Sequence, residues 1–191
     1  HLIADPQGKG TGLSLTGTAD AKLVVSNCIV SGNGSGSNMV TVLGSGQGLY
    51  VSSFGSAVIE DSTFLTHGIA WTGRDLWNEG RDGQTGAAIY LHNVQATVRR
   101  CTFRGNRGNS YDGRGGIVRV AGTSGGTLFD HCVFAGNEED YHWWKGVPVG
   151  GKNGGQIAIN LSGETDRVTI NNCTIAGNFS DNSVSAAGIT I

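Results

Sequence analysis

Three side chains could form a small site for an acidic polysaccharide, provided that they lie on one face of a sheet. His92 could act as the base in a β-elimination on a uronate, and Arg119 could neutralise the uronate carboxylate. Tyr90 could stack against a sugar ring. Two polar groups without a paired acid are a sparse catalytic set. We therefore assign no catalytic residue, and we keep a lyase built on His92 and Arg119 as the alternative.

Other kinds of chemistry lack the residue patterns that they require. A glycoside hydrolase needs two facing carboxylates, whereas the acidic residues lie mainly in irregular stretches, among them Asp75, Glu79 and Glu138–Asp140. No metal motif, phosphate loop or nucleophile elbow is present, so we expect neither a metal nor a cofactor. The net charge of −2, without a basic stripe, argues against nucleic acid as a partner. No run of about 18 apolar residues predicts a membrane span.

The aromatic residues best suited to contact a partner lie in stretches without a repeat. These stretches cover residues 34–47, 68–86, 107–115 and 138–155, and long connections of this kind commonly carry function. Their bulky side chains could contact a partner or fold back on a sheet. We expect contacts with a surface partner, a carbohydrate or another copy of the chain. The candidates are Tyr90 and, in these stretches, Trp71, Trp77, Tyr111, Trp143, Trp144 and Lys145.

A repeated unit supplies the framework that must position all of these residues. Apolar residues stand five and three places before a Cys or Ser, another follows two places after it, and a Gly-Asn pair usually closes the unit. Five copies of one unit indicate a repeat architecture. The copies are LVVSNCIVSGN (23–33), AVIEDSTFLTH (57–67), VRRCTFRGN (98–106), TLFDHCVFAGN (127–137) and VTINNCTIAGN (168–178).

Two columns of the repeat are nearly uniform, and we expect both to be structural. The first contains Cys28, Ser62, Cys101, Cys132 and Cys173. Neighbouring copies would place these cysteines side by side, but stacked side chains seldom meet disulfide geometry. We predict free, buried thiols that fill the core. The second column contains Asn33, His67, Asn106, Asn137 and Asn178, and stacked amides of this kind can form a ladder that satisfies turn backbone.

The repeat predicts an all-β fold, a parallel β-helix of about five to six coils with three strands in each coil. Parallel crossovers are almost always right-handed, so we expect a right-handed helix. The corner before the cysteine column suits Asn or Asp, which tolerate a left-handed backbone, better than Arg100 or His131. We expect one domain over residues 1–191, with a lead-in at 1–11. We also expect uncapped ends, so that the domain continues in a longer chain or stacks end to end.

Short motifs give the chain a family resemblance over residues 12–191. CTFRGN, CVFAGN and CTIAGN, with GAAI (86–89), GGIV (115–118) and GGQI (154–157), resemble right-handed parallel β-helix proteins of the pectate-lyase-like superfamily. FRGN (103–106) and FAGN (134–137) are similar to the repeats of chlamydial polymorphic membrane proteins and related autotransporter-like surface proteins. GAAI and GGQI depart from the preferred GGAI, and two of the five copies have Phe and Asn together. The resemblance implies an extracellular or cell-surface module with a structural or adhesive role.

Glycosylation sequons fit an extracellular location. Asn33 and Asn178 belong to the asparagine column, so we expect them to be too buried for a glycan. Asn160 should face outward on a strand, and Asn172 lies at a corner. These two are the predicted acceptors if the source is eukaryotic.

Overall fold

A computed structural model describes residues 12–33, 48–67, 88–109, 117–122, 125–140, 143–144, 147–148, 159–161 and 167–180. All of these residues lie in strands or in the turns and bends that join them. Within these ranges there is no helix, and so none that is long and apolar enough to cross a membrane.

The strands repeat in the same order along the chain, and each repeat forms one coil. The first coil contains β1 (Leu13–Thr16), β2 (Lys22–Ser26) and β3 (Ile29–Ser31). The second contains β4 (Leu49–Ser52), β5 (Ser56–Glu60) and β6 (Thr63–Leu65). The third contains β7 (Ile89–His92), β8 (Gln95–Arg99), β9 (Thr102–Arg104) and β10 (Arg107–Asn109). The fourth contains β11 (Val118–Ala121), β12 (Thr127–Asp130), β13 (Val133–Ala135), β14 (Glu138–Asp140), β15 (Trp143–Trp144) and β16 (Val147–Pro148). The fifth contains β17 (Ile159–Leu161), β18 (Val168–Asn171), β19 (Thr174–Ala176) and β20 (Phe179–Ser180).

Corresponding strands of successive coils pair in parallel and build three five-stranded sheets. The first sheet has the order β1-β4-β7-β11-β17, the second β2-β5-β8-β12-β18 and the third β3-β6-β9-β13-β19. Each coil therefore adds one strand to each sheet, which is the arrangement of a parallel β-helix. The predicted all-β fold, with three main strands per coil and about five coils, is confirmed.

The core lies between the three sheets, because each strand alternates an inward apolar residue with an outward one. Inward residues of successive coils stand in register. Phe64, Phe103 and Phe134, for example, form a column in which neighbouring rings are nearly parallel. The ring centroids are 5.2 Å apart between Phe64 and Phe103, and 4.7 Å apart between Phe103 and Phe134. All three are fully buried, so this column supplies apolar packing through the middle three coils.

A single left-handed residue turns the chain between the second and third sheets in every coil. These residues are Asn27, Asp61, Arg100, His131 and Asn172, with φ between 49° and 53°. Arg100 and His131 adopt the same conformation as the Asn and Asp residues, at a cost of about 1–2 kcal/mol for an ordinary side chain. A second left-handed column, Gly32, Thr66, Gly105, Gly136 and Gly177, ends each strand of the third sheet.

A short fourth sheet follows the asparagine column in the last three coils. It has the order β10-β14-β20. The sequence predicts that irregular stretches begin at residues 107 and 138, and the structure begins both with a strand. The cause is the backbone of the preceding column: Arg107 N donates to His67 O at 2.6 Å, and Glu138 N donates to Asn106 O at 2.9 Å. Farther along the fourth coil, β15 and β16 form a separate antiparallel pair.

Candidate functional site

The outer face of the first sheet brings together the three side chains of the predicted sugar site. The register places Tyr50, Tyr90 and Arg119 in one column, and His92 lies two residues beyond Tyr90 on β7. The Tyr50 and Tyr90 rings meet edge to face, with centroids 5.4 Å apart. The guanidinium carbon of Arg119 lies 5.1 Å from the Tyr90 ring centroid, within cation–π range. We call Tyr50, Tyr90, His92 and Arg119 the aromatic–arginine cluster.

Two members of this cluster, Tyr50 and Arg119, are buried, whereas Tyr90 and His92 are half-buried. Tyr50 is 5% exposed and Arg119 is 9% exposed. Strands β4 and β11 are buried along both faces, whereas the outward residues of β5 are half-buried. Strand alternation correctly predicts which face these side chains occupy. It does not predict that the face is covered, because alternation records only the direction in which a side chain leaves its strand.

The described hydrogen bond of the His92 ring is with a serine hydroxyl. Its Nδ1 lies 3.3 Å from the Ser52 hydroxyl, which in turn lies 3.1 Å from the Ser53 hydroxyl. The acidic side chains with described ion pairs lie on other parts of the coil: Glu60, Asp61 and Asp130 near the corner after the second sheet, and Glu138 on the fourth sheet. Among the described residues, no group of three or more His, Cys, Asp or Glu side chains could hold a metal ion.

Four charged side chains near the corner after the second sheet form ion pairs between the second and third coils. Arg99 Nη2 lies 2.6 Å from Glu60 Oε2, and Arg100 binds both carboxylate oxygens of Asp61 at 2.7 Å. The hydrogen bond from Arg100 holds the pKa of Asp61 below its usual value, and the same bond raises the pKa of Arg100. We call Glu60, Asp61, Arg99 and Arg100 the corner ion-pair cluster.

In the fourth coil, a similar group of contacts surrounds Asp130, with a histidine and an asparagine in place of arginine as its partners. His131 Nδ1 lies 3.0 Å from Asp130 Oδ1, and Asn171 Nδ2 donates to the same oxygen at 2.8 Å. The hydrogen bond from His131 is the main reason that the pKa of Asp130 is lowered. Sequence reasoning missed both groups of contacts. The register of the cysteine column would have revealed them, since it aligns the residues one and two places before each Cys or Ser.

From the third coil to the fifth, the asparagine column forms an amide ladder. The backbone N–H and the Nδ2 group of Asn106 both donate to Asn137 Oδ1, each at 3.0 Å. Asn137 repeats the pattern toward Asn178 Oδ1, at 3.0 and 2.9 Å. Each Nδ2 group also donates back to a carbonyl of the preceding coil, as Asn137 does to Phe103 O at 3.0 Å. The Asn137 side chain therefore satisfies two backbone groups of the preceding coil, Asn106 N–H and Phe103 O, and also binds the Asn178 side chain of the next coil.

His67 takes the place of Asn in the second coil. Its Nδ1 accepts the Asn33 backbone N–H at 3.3 Å, and its Nε2 donates to Val30 O at 2.9 Å. Because an amide N–H can only donate and a carbonyl can only accept, these contacts assign the neutral tautomer with hydrogen on Nε2. Burial lowers the pKa of His67. A Cβ at position 48 would lie 2.8 Å from Nε2, so Gly48 leaves room for the ring.

The cysteine column also does more than fill space. All four cysteines are free thiols. Each side chain donates to the carbonyl two residues before it, as Cys28 does to Ser26 O at 3.2 Å and Ser62 does to Glu60 O at 2.7 Å. The same atoms accept from the coil before, as in the bond from Cys28 N to Ser62 Oγ at 3.1 Å. Ser62 fits the column because a hydroxyl donates and accepts in the same two directions.

The pKa shifts of the thiols differ along the column, and the hydrogen bond with Cys132 lowers the pKa of Cys101, which is buried. The hydrogen bond with Cys101, together with burial, raises the pKa of Cys132, and burial raises the pKa of Cys173. A raised pKa keeps a thiol protonated and unreactive at neutral pH.

The remaining predicted residues are only partly described. Trp71, Trp77, Tyr111 and Lys145 lie outside the described residues. For Trp143 and Trp144, the structure gives only their place in β15. Asn160 pairs with Arg119 in the register of the first sheet. Asn172 is exposed at its corner.

Comparison with protein-family models, with curated proteins and with solved structures gives no match for this chain. The assignment of the fold therefore depends on the register of the coils themselves.

Proposed function

We propose that the chain is a structural or adhesive module of an extracellular or cell-surface protein, with no catalytic site of its own. The observation that carries this proposal is the burial of two members of the aromatic–arginine cluster. Tyr50 and Arg119 are buried, and Arg119 lies over the Tyr90 ring that a sugar would need. An enzyme of this fold would need an open polar cleft with convergent acid and base groups.

The regular columns support the same proposal. The Asn, Cys and Phe columns, together with the corner ion-pair cluster, direct their side chains at neighbouring coils. Side chains that hold coils together contribute stiffness and register rather than chemistry. From the motifs CTFRGN and CVFAGN we also propose that the chain belongs to the pectate-lyase-like superfamily. Within it, the chain would be most similar to proteins with polymorphic and autotransporter-like surface repeats.

The contacts with other molecules are assigned to the stretches between coils. Trp71, Trp77, Tyr111, Trp143, Trp144 and Lys145 are the proposed contact residues, and the partner is a surface protein, a carbohydrate or another copy. Asn160 and Asn172 are the proposed glycan acceptors. Intact-mass measurement of protein secreted from a eukaryotic host tests the acceptors, since unmodified mass would contradict that assignment.

A binding experiment tests the adhesive role. Purified protein is applied to immobilised cell-surface extracts and to a glycan array, beside the double variants Trp71→Ala with Trp77→Ala and Trp143→Ala with Trp144→Ala. We expect binding by the parent protein and a loss of at least about tenfold in one double variant, as expected for aromatic contact residues. Equal binding by all three proteins would overturn the assigned contact residues.

The lyase remains the second candidate, because the register does place His92, Tyr90 and Arg119 on one face. The test is incubation with acidic polysaccharides and measurement of the absorbance of an unsaturated uronate product. We expect no new absorbance. Product formation that His92→Ala abolishes, in a variant with unchanged circular dichroism, would replace the structural proposal with an enzyme.

A further inference from the structure

The first and fifth coils each present an apolar end surface. Within the three five-stranded sheets, the strands of the first and fifth coils have a hydrogen-bonded neighbour on one side, whereas the strands of the middle coils have one on each side. Ile170, Cys173 and Ile175 of the fifth coil are half-buried, although their counterparts in the fourth coil are almost fully buried. In the first coil, Leu23 and Val30 are half-buried in the same way. Each end therefore leaves a cross-section of the core partly exposed.

The two end surfaces carry closely similar residues in corresponding columns. The pairs are Leu23 and Val168, Val25 and Ile170, Cys28 and Cys173, Val30 and Ile175, and Asn33 and Asn178. Any two neighbouring coils inside the molecule match in the same sense. The first coil would thus continue every inward column if it were placed on the fifth coil of another copy.

The hydrogen-bonding groups at the two ends are also complementary in direction. Inside the ladder, each Asn donates its backbone N–H and its Nδ2 group to Oδ1 of the next coil. Among the described residues, the Asn178 side chain donates only to Phe134 O, at 3.0 Å, and no described bond reaches Asn33 Oδ1. Asn178 thus presents donors at one end, and Asn33 presents the matching acceptor at the other.

Two outward columns near the corner after the second sheet are uncharged at both ends. The column that contains Glu60, Arg99 and Asp130 in the middle coils begins with Ser26 and finishes with Asn171. The neighbouring corner column begins and finishes with Asn, at Asn27 and Asn172. Bringing the two ends together would let these amide and hydroxyl groups hydrogen-bond. It would also place exposed Lys22 of one copy beside exposed Arg167 of the other, because the register of the second sheet puts both residues in one column.

We propose that copies of this chain associate head to tail, with the fifth coil of one copy seated on the first coil of the next. This inference deepens the structural role proposed above and depends on it, because it names a second copy as the self-assembly partner. The contact is heterologous, so it leaves one end surface open on each side and can extend into a filament. Its strength comes from buried apolar area and from the continued strand pairing of parallel sheets.

Two variants that block opposite ends test the proposal. Val30→Asp places a charge on the first-coil surface, and Ile175→Asp places one on the fifth-coil surface. Both positions are half-buried and lie in end coils, and circular dichroism checks that each variant is folded. Arg104→Asp, on an exposed outward position of the third coil, is the matched control. Sedimentation velocity over a range of concentrations gives the state of each protein.

We expect the parent protein and Arg104→Asp to form concentration-dependent oligomers, and each end variant alone to be monomeric. A mixture of the two end variants should form a one-to-one dimer and nothing larger, since each retains the surface that the other lacks. A parent protein that stays monomeric at all concentrations would overturn the proposal, as would a further coil of the same chain bound at this surface. Oligomers that resist both end variants would also overturn it. Binding to surface extracts is measured separately, so either proposal can fail alone.

Discussion

The second and third coils carry different residues at the same two positions. The second coil has Thr66 and His67, and the third has Gly105 and Asn106. The backbone is left-handed at both first positions, with φ of 53° and 62°. At the second position, His67 Nδ1 accepts where an asparagine Oδ1 would accept, and Nε2 donates where Nδ2 would donate. The column therefore requires a donor and an acceptor at fixed positions, and either residue type can supply them.

His67 lacks one hydrogen bond that asparagine makes in this column, and the missing bond shows what asparagine contributes. Asn106 Nδ2 makes two bonds, one to Phe64 O at 3.1 Å and one to Asn137 Oδ1 at 3.0 Å. The neutral imidazole of His67 has a single hydrogen to donate, so it makes the bond to Val30 O and leaves out the side-chain bond to the next coil. Only the backbone N–H of His67 reaches Asn106 Oδ1, at 3.1 Å.

The largest effect should come from breaking the regular part of the ladder. Asn137→Ala removes the acceptor of two Asn106 groups and the donor to Phe103 O. The buried Asn106 backbone N–H loses its described partner, and Asn106 Nδ2 keeps only its bond to Phe64 O. We expect the free energy of unfolding to fall by about 3–4 kcal/mol. Urea denaturation near neutral pH measures the change. The matched control is Asn178→Ala in the half-buried fifth coil, and similar losses for both variants would contradict the ladder as the cause.

The second effect is the pH dependence that His67, in the second coil, gives to the free energy of unfolding. Protonation of His67 would place a hydrogen on Nδ1 against the Asn33 N–H, and no described ion pair involves His67. The pKa of His67 is lowered in the folded protein, so the unfolded chain binds the proton more readily. The contribution of His67 is thus fully present above about pH 6.5 and is lost as the pH falls below it, by at most about 1.4 kcal/mol per pH unit.

The variant His67→Asn provides the comparison for this effect. We expect its unfolding free energy to fall less steeply than that of the parent between about pH 7 and pH 5. The difference between the two pH profiles isolates His67, because every other titrating group is common to both proteins. Parallel profiles would show that the neutral tautomer is not required.

The third effect concerns the left-handed position before the ladder. Thr66→Gly should raise the unfolding free energy by about 0.5–1 kcal/mol, because Thr is strained at φ of 53° and the added flexibility of unfolded Gly offsets part of the gain. Gly105→Thr is the reciprocal variant, and we expect it to cost about 1–2 kcal/mol. A Cβ at position 105 would meet only the Thr66 methyl group, at 3.6 Å, so strain rather than a clash sets the cost. Changes of the same sign in both variants would refute this account.

The smallest effect should come from the corner ion-pair cluster. Arg100→Asn removes the bond to Asp61 but supplies the residue type that tolerates the left-handed corner, as at Asn27 and Asn172. Because Arg100 is half exposed, we expect a smaller change than for Thr66→Gly, and one that differs between low and molar salt. A large, salt-independent loss would show that these ion pairs stabilise the coil more than surface pairs usually do.

The sequence predicts the interior of this molecule well and its surfaces poorly. Columns such as Phe64, Phe103 and Phe134 recur at fixed distances from the cysteine column, so a periodic pattern is enough to place them. The corner at Arg100 is predicted by position, although its residue type alone argues against a left-handed backbone. These features depend only on contacts between equivalent residues of neighbouring coils.

The features that the sequence misses depend on contacts without a repeated pattern. Strands β10 and β14 form because the ladder backbone holds their first residues, and their own residues show no alternation. The burial of Tyr50 and Arg119 depends on what covers the first sheet, which strand alternation does not record. Predictions for Trp71, Trp77, Tyr111 and Lys145 stay predictions, since these residues lie outside the described ranges.

The sequence distance spanned by the ladder has a consequence for how the chain folds. Every described hydrogen bond from an asparagine-column side chain joins residues 31 to 44 positions apart. A coil can therefore dock once the coil before it exists, and no ladder contact waits for the far end of the chain. Formation of the first coil pair must close a long loop and should limit the folding rate, and later coils should add in sequence. During synthesis, such a chain can fold progressively from its N-terminal side as it emerges.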